Sequence, residues 1–355
     1  MKSKILLSIV IPCLNEKGTI ARSVKDAQKH AKKHFPKNYE IIVADNGSTD
    51  GSLNILKKFN FVKVINVPVR GYGAALHWGI TNSKGEYVLF ADADLSYPFS
   101  NLKVFKPKLA QNPDLLLGSR LKGSIQPGAM PPLHRYLGTP ILTILIRLIY
   151  KIPTSDCNSG MRIIKRSFYK KLNMRNSGME WASELLLKTA IKNGKYLEVP
   201  INFRKDKRGK APHLSTWADG WRHLKAIFLI KPTSLYVFMV LFLIIAFLSY
   251  FVSFALASLF ILLFIVLFLS FLALQFLAYA IEGEHNQISK ILNTNYLVPV
   301  VFLTVMSLGF LIILLPDTRL GTKMILVGVI AVILMWVFLV ETIKTHVVSR
   351  LTNVK

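Results

Sequence analysis

Short apolar runs recur through the first 233 residues, separated by polar stretches with helical spacing. The runs are ILLSIVIP (5–12), YEIIVAD (39–45), FVKVINV (61–67) and EYVLFAD (86–92). Helical stretches fall between them: one to about His34, a short one after Asp50 and one from Gly73. Continuous apolar strands alternating with helices predict an α/β fold whose mostly parallel sheet is covered on both faces. Ligand-binding groups then gather at the carboxyl ends of the strands.

Two further segments have an amphipathic pattern. Residues 133–152, LHRYLGTPILTILIRLIYKI, are too short and too interrupted by Gly138, Pro140 and Arg147 to span a bilayer, and suit a helix in the membrane interface. In residues 216–230, Trp217, Trp221, Leu224 and Phe228 recur at helical spacing, which suits a juxtamembrane helix at headgroup level. The plain alternative for each is a core helix. After residue 233 the pattern changes: residues 234–281 contain no charged residue, room for two membrane-spanning helices. Two more spans at about 296–315 and 324–341 give four in all, with 234–254 and 257–281 as the first pair. The domain division is therefore 1–215 catalytic, 216–233 juxtamembrane and 234–355 transmembrane.

Charge follows the same division. The tail holds six Lys or Arg and four Asp or Glu, a net of +2, so +24 of the formal +26 lies on the first 233 residues. So basic a region next to membrane segments points to anionic lipid headgroups or phosphorylated substrates rather than nucleic acid. It also places the first region on the cytoplasmic side, although Arg319 and Lys323 fall on the opposite loop. The expected location is a bacterial or archaeal plasma membrane, and a homo-oligomer is compatible with it. Cys13 and Cys157 are the only cysteines, so neither a disulfide framework nor a zinc site is indicated. The basic, apolar start lacks a signal-peptide cleavage pattern and reads as the first strand.

Four polar motifs carry the chemistry. PCLNE (12–16) and ADNGSTDGS (44–52) end the first two strands, RGYGAAL (70–76) opens a helix, and ADADLS (91–96) ends the fourth strand. Asp92 and Asp94, two carboxylates one residue apart after an apolar strand, can face one hard cation, Mg²⁺ or Mn²⁺. A solvated turn is the alternative for that pair alone; its place in the series favours the metal. Asp45 and Glu16 suit hydrogen bonds to a base or ribose, and Gly71 and Gly73 suit either a nucleotide approaching the backbone or a tight turn.

Together these motifs resemble those of family 2 glycosyltransferases with a GT-A fold, and more specifically the polyprenyl-phosphate glycosyltransferases, a group that includes dolichol-phosphate mannose synthases. The resemblance covers residues 4 to about 230. It implies a nucleotide-sugar site formed by Pro12, Leu14, Asn15, Glu16, Asp45, Asn46, Gly47, Gly71, Gly73, Asp92, Ala93 and Asp94, with Asp92 and Asp94 serving the metal. It also implies that Arg120 and Asp156 belong to the catalytic centre, and that Arg120, Arg135, Arg162, Arg204, Arg208 and Lys210 hold the acceptor phosphate. Asn46 stands where a second Asp is usual, and Ser96 where a Gln is frequent. The donor implied is UDP-glucose or, next, GDP-mannose, and the acceptor an undecaprenyl- or dolichyl-phosphate type lipid, with inversion at the anomeric carbon.

Arg204, Arg208 and Lys210 also read independently as phosphate ligands or as a polybasic strip on anionic lipid. Glu180 and Glu184 are weaker site candidates, better suited to surface or capping roles. A lipid phosphate, with a second pKa of about 6, requires no strong general base. A processive polysaccharide synthase is the runner-up, lacking its QxxRW before the first span, and a non-catalytic scaffold is countered by the intact Asp92 and Asp94.

Overall fold

The computed structural model describes residues 5–209, together with residues 220, 223, 224, 226–228, 230, 231, 244 and 265. The chain divides into two compact units, Met1–Ile230 and Lys231–Lys355. The four expected spans, Trp217, Trp221 and Lys210 lie outside the described residues. Among the described residues no helix is long and apolar enough to cross a membrane.

The first unit is built on a seven-stranded sheet in the order β3-β2-β1-β4-β6-β5-β7. The strands are β1 (Leu7–Cys13), β2 (Tyr39–Asp45), β3 (Val62–Asn66), β4 (Tyr87–Phe90), β5 (Leu115–Ile125), β6 (Arg162–Lys165) and β7 (Tyr196–Phe203). The four strands expected from the apolar runs form one parallel half, β1 pairing with β2 and β4, and β2 with β3. β6 alone runs against the others, pairing antiparallel with both β4 and β5, whereas β7 is parallel to β5. GT-A-like α/β architecture with a mostly parallel sheet is therefore present.

Strand side chains alternate between two cores. Ile9, Ile11, Ile41 and Val43 face the layer containing α1 (Ile20–His34), while Val10 and Ile42 face the opposite layer with α3 (Tyr72–Thr81), α5 (Thr139–Tyr150) and α7 (Trp181–Ile191). Each fully buried Ile, Val or Leu contributes about 1.5–3 kcal/mol, so this two-sided burial holds the sheet together. Helix α1 turns Ile20, Val24, Ala27 and Ala31 inward and ends with Lys32, Lys33 and His34, where cations suit its carbonyl end. Among the described residues this unit also has the shorter helices α2 (Ser52–Leu56), α4 (Leu102–Leu109) and α6 (Arg166–Leu172).

The 133–152 segment forms a π-helical turn, His134–Gly138, followed by α5. Ile146 and Tyr150 are buried, but Tyr136 and Leu148 are 71% and 72% exposed, and Leu137, Ile141 and Ile144 about half exposed. One stripe of this helix is thus core and the other an apolar outer surface. The described part of residues 220–230 is helical and packs inward: Ile227 is buried in the same core, Tyr150 donates to its carbonyl, and His223 Nδ1 lies 2.8 Å from Ser183 Oγ.

Arg162, expected among the acceptor-phosphate ligands, is fully buried at the start of β6. Its guanidinium donates to three carbonyls: Cys157 (2.9 Å), Ser159 (2.9 Å) and Ala182 (2.6 Å). It ties the 157–159 turn to α7 and presents no donor surface to a ligand. Unpaired buried carbonyls are expensive, so Arg162→Lys, which cannot reach all three, is expected to lower unfolding free energy by about 2–4 kcal/mol. Denaturant titration of the purified chain checks this. A raised acceptor KM at unchanged stability would return Arg162 to the ligand site.

Candidate active site

The motifs meet at the carboxyl edge of the parallel strands. PCLNE and ADNGSTDG are stitched to each other: Asn15, at φ 58°, donates its N–H to Ser48 Oγ (2.9 Å), and its Oδ1 accepts from Thr49 N (2.7 Å). Pro12 lies in register with Ala44, and Leu14 is half-buried beside them. Buried Asp45 accepts the N–H groups of Gly47 (3.0 Å) and Ser48 (3.1 Å), closing the turn after β2.

The Asn46 side chain donates to Val69 O (2.7 Å) and accepts from Gly71 N (2.8 Å), so it joins β2's end to the RGYG turn. Gly71, at φ +138°, leaves no space for a side chain, since a Cβ would fall 2.1 Å from Ser177 O. At Gly73 a Cβ would fall 2.5 Å from Trp181 Cβ. These glycines allow close packing of the chain against the 176–178 segment and α7.

The loop after β4 brings the carboxylates together. Asp94 and Ala93 are buried, and Asp92 keeps an opening to solvent. Tyr72 Oη donates to Asp92 Oδ1 (3.0 Å), while Ser96 holds Asp94 Oδ1 through its N–H (2.9 Å) and hydroxyl (2.6 Å). Burial, then the neighbouring Asp94 charge, pushes Asp92 up to about 7; burial also raises Asp94, against the pull of its Ser96 bonds. Neither Tyr72 nor Ser96 was expected as a partner, although Tyr72 sits between the two glycines of its motif and Ser96 two residues beyond Asp94, where such turns form.

Among the described residues, Arg208 answers this charge. Arg208 Nη2 lies 3.3 Å from Asp94 Oδ2 and Nη1 lies 3.4 Å from Glu16 Oε1, while Nε donates to Asp206 (2.7 Å). Glu16, itself buried, is held by Thr19 Oγ1 at 2.8 Å. The 204–208 strap is pinned to the β4 loop by Arg204 N to Ser96 O (2.9 Å) and Lys207 N to Asp94 O (3.1 Å).

Among the described residues no group of three or more His, Cys, Asp or Glu is placed to hold a metal ion. Mg²⁺ and Mn²⁺ need no such cage, using one or two carboxylates and completing their shell with water and phosphate oxygens. Asp92 and Asp94 offer oxygen donors only, and the Arg208 guanidinium already stands where a positive charge is required, so the residues fit a hard divalent cation.

The remaining arginines divide by environment. Arg120 pairs bidentately with fully buried Asp156 (2.8 and 2.7 Å) and lies over the Phe203 ring at 5.2 Å. Asp156 also accepts the Arg120 backbone N–H (3.0 Å), so the carboxylate is held by Arg120 through both side chain and backbone. Arg135 lies half-buried beside Tyr136, and Arg204 is exposed. Glu184 accepts the N–H groups of Arg175 and Asn176 and pairs with Lys188, a structural role; Glu180 keeps one buried oxygen without a partner.

An α/β fold with acidic strand ends is shared by many activities, and comparison with known proteins gives the class as a glycosyltransferase. Residues 8–172 match the model of glycosyl transferase family 2. The low-salt glycan biosynthesis hexosyltransferase Agl6 of Haloferax volcanii is 36% identical over 231 residues, 65% of this chain and 55% of that protein. The dolichyl-phosphate beta-glucosyltransferase of Saccharomyces cerevisiae is 37% identical over 110 residues, 28% of this chain and 33% of that one. Glucosyl-3-phosphoglycerate synthase from Mycobacterium tuberculosis, solved with Mn²⁺ and UDP, shares the fold at a TM-score of 0.50 and 21% identity, covering 64% of this chain and 80% of that one. This chain belongs to glycosyl transferase family 2.

The raised Asp92 pKa has a stability consequence in the metal-free chain. Its favourable contribution is complete below the unfolded carboxyl pKa of about 4 and is lost as pH rises through about 7. Asp92→Asn keeps the Tyr72 bond and removes the titration. At pH 8 it is expected to melt about 2–6 °C above the parent, with the difference vanishing at pH 4. Thermal unfolding across that range in chelator checks this, and a parallel shift at both pH values would refute it.

Proposed function

We propose that the chain transfers one hexose from a nucleoside-diphosphate sugar to a polyprenyl phosphate at the cytoplasmic membrane face, with inversion and with a divalent cation at Asp92 and Asp94. The observation that carries this reading is the acidic pair after β4, braced by Tyr72 and Ser96 and faced by Arg208. The named hexosyl and dolichyl-phosphate glucosyl relatives support the acceptor class. Glucose from UDP-glucose is the favoured donor, with mannose from GDP-mannose second.

Bound at the aspartates, Mg²⁺ or Mn²⁺ would supply positive charge to the departing diphosphate. The protein's own task is placement. The turns after β1 and β2 form the nucleotide wall, with Asp45 and Glu16 at its base. Arg208, on a strap rather than in the sheet, can turn its planar donors from Asp94 to phosphate oxygens, helped by Arg135. The acceptor phosphate is anionic already, so transfer requires alignment and exclusion of water rather than deprotonation. The exposed Tyr136, Leu137, Ile141, Ile144 and Leu148 stripe is suited to lie in the interface where a lipid acceptor is met, with Arg147 and Lys151 available to headgroups.

The central test incubates the full chain with polyprenyl phosphate and a panel of labelled nucleotide sugars. One labelled lipid is expected, and Asp94→Asn is expected to abolish its formation while weakening metal and donor binding together. No labelled lipid with any donor, or normal turnover by Asp94→Asn, would remove the reading. Arg208→Lys keeps charge but loses the planar fork, so in neutral detergent its KM for polyprenyl phosphate is expected to rise about tenfold with donor binding retained. Parental kinetics for both Arg208→Lys and Arg208→Gln would remove Arg208 from the acceptor site.

A further inference from the structure

Beside the donor centre, on the far side of the 204–208 strap, lies a hollow of about 350 Å³ lined by Arg22, Lys25, Asp26, Lys29, Leu95, Pro98, Arg204 and Lys207. Three of its cations project from one side of α1 at positions 22, 25 and 29, and two come from the strap. None of the five makes an ion pair with a carboxylate among the described residues. The single acid cannot neutralise them: Asp26 Oδ2 accepts the Phe99 N–H (2.9 Å), and Oδ1 faces His30 Nε2 (3.4 Å). His30 registers the surplus, its pKa lowered first by burial and then, against the Asp26 charge, by Lys29, Lys33 and Arg204.

Five cations around one acid repel one another. A multiply charged anion relieves that repulsion, and a phosphate offers several oxygens to such a ring at once. Leu95 and Pro98 add an apolar patch suited to the carbon side of an ester. The patch is confined to one hollow, whereas a nucleic acid needs a continuous basic track.

We propose that this hollow is a second phosphate-binding site, distinct from the donor centre, whose ligand is a phosphate ester or diphosphate. It reports to the catalytic side through the strap. Arg204 and Lys207 turn their side chains to the hollow while their backbone N–H groups hold the β4 loop, and Arg208 is the next residue along. An anion in the hollow therefore fixes the segment that carries Arg208 to Asp94 and Glu16. This goes beyond the transfer reaction and is tested without it.

The probe is inorganic pyrophosphate, titrated calorimetrically into the full chain in chelator, where the acidic donor centre has no metal to hold a diphosphate. Lys25→Gln/Lys29→Gln removes two ring cations, and Lys32→Gln/Lys33→Gln makes the same charge change on the same helix outside the hollow. The first pair is expected to weaken binding about tenfold or more and the second less than about threefold. Pyrophosphate is also expected to slow hydrogen exchange in a peptide covering 204–208 in the parent and the Lys32/Lys33 variant, but not in the Lys25/Lys29 variant. Displacement of pyrophosphate by phosphatidylglycerol vesicles and not by phosphatidylcholine vesicles would identify a lipid headgroup as the ligand. Failure of both vesicles with displacement by free phosphate esters would identify a soluble one. Equal loss in both double variants, or parental binding by Lys25→Gln/Lys29→Gln, would overturn the site.

Discussion

Two carboxylates held one residue apart in a buried loop repel each other and lose hydration, and the surrounding structure is organised to keep them there. Asp92 and Asp94 sit after a strand buried along its whole length, so the loop cannot retreat into solvent without disturbing β4. Three partners from three parts of the chain oppose the repulsion: Tyr72 from α3, Ser96 from the loop itself and Arg208 from the strap after β7. Their combined effect is incomplete, because both carboxyls stay above their ordinary range. A site in that condition favours any additional cation that can reach it.

The strong positive charge of this region is likewise sorted by burial. Buried arginines are matched internally, Arg162 by carbonyls and Arg120 by Asp156. Breaking either leaves a buried group without a partner, which is costly whatever the protein's activity. Arg22, Lys25 and Lys29 on α1 and Arg204 and Lys207 on the strap lie at the surface, with Asp26 as the one acid in the hollow they line. Exposed cations such as these keep donors to offer a phosphate, so the raw net charge overstates the number of ligand-binding residues.

That distinction explains what was legible in the sequence. Strands β1–β4 were evident because continuous apolar runs bounded by turn residues leave few alternatives, and the same runs put the strand-end motifs at one edge of the sheet. Asp92, Asp94, Glu16 and Arg208 lie together there. Asn46, Arg120, Asp156 and Arg162 have residue types that suit a ligand equally well, and only the folded chain shows their partners are backbone groups or one another. The antiparallel β6 was also hidden: RIIK is four residues long, and its apolar pair carries no mark of direction. Residues 133–152 were legible as an amphipathic helix, and the structure adds which stripe is core.

The reversed strand has a consequence for how the site is assembled. β5 and β7 run parallel to each other and antiparallel to β6, as β4 does, so β4, β5 and β7 all point the same way. Their carboxyl ends emerge at one edge, which places the Asp92–Asp94 loop, the chain leading to α5 and the Arg208 strap together. β6 enters from that same edge, so the turn preceding it, with Asp156 and Gly160, is also delivered there. Gly160 belongs to this packing: a Cβ would approach Asp92 Oδ2 to 2.9 Å, and its N–H donates to Tyr97 Oη. Had β6 been parallel, the 156–160 turn would lie at the opposite edge, leaving Arg120 without its carboxylate partner. The antiparallel insertion thus lets segments far apart in sequence share one edge, where strong local charge is balanced by groups from β5, β6 and β7.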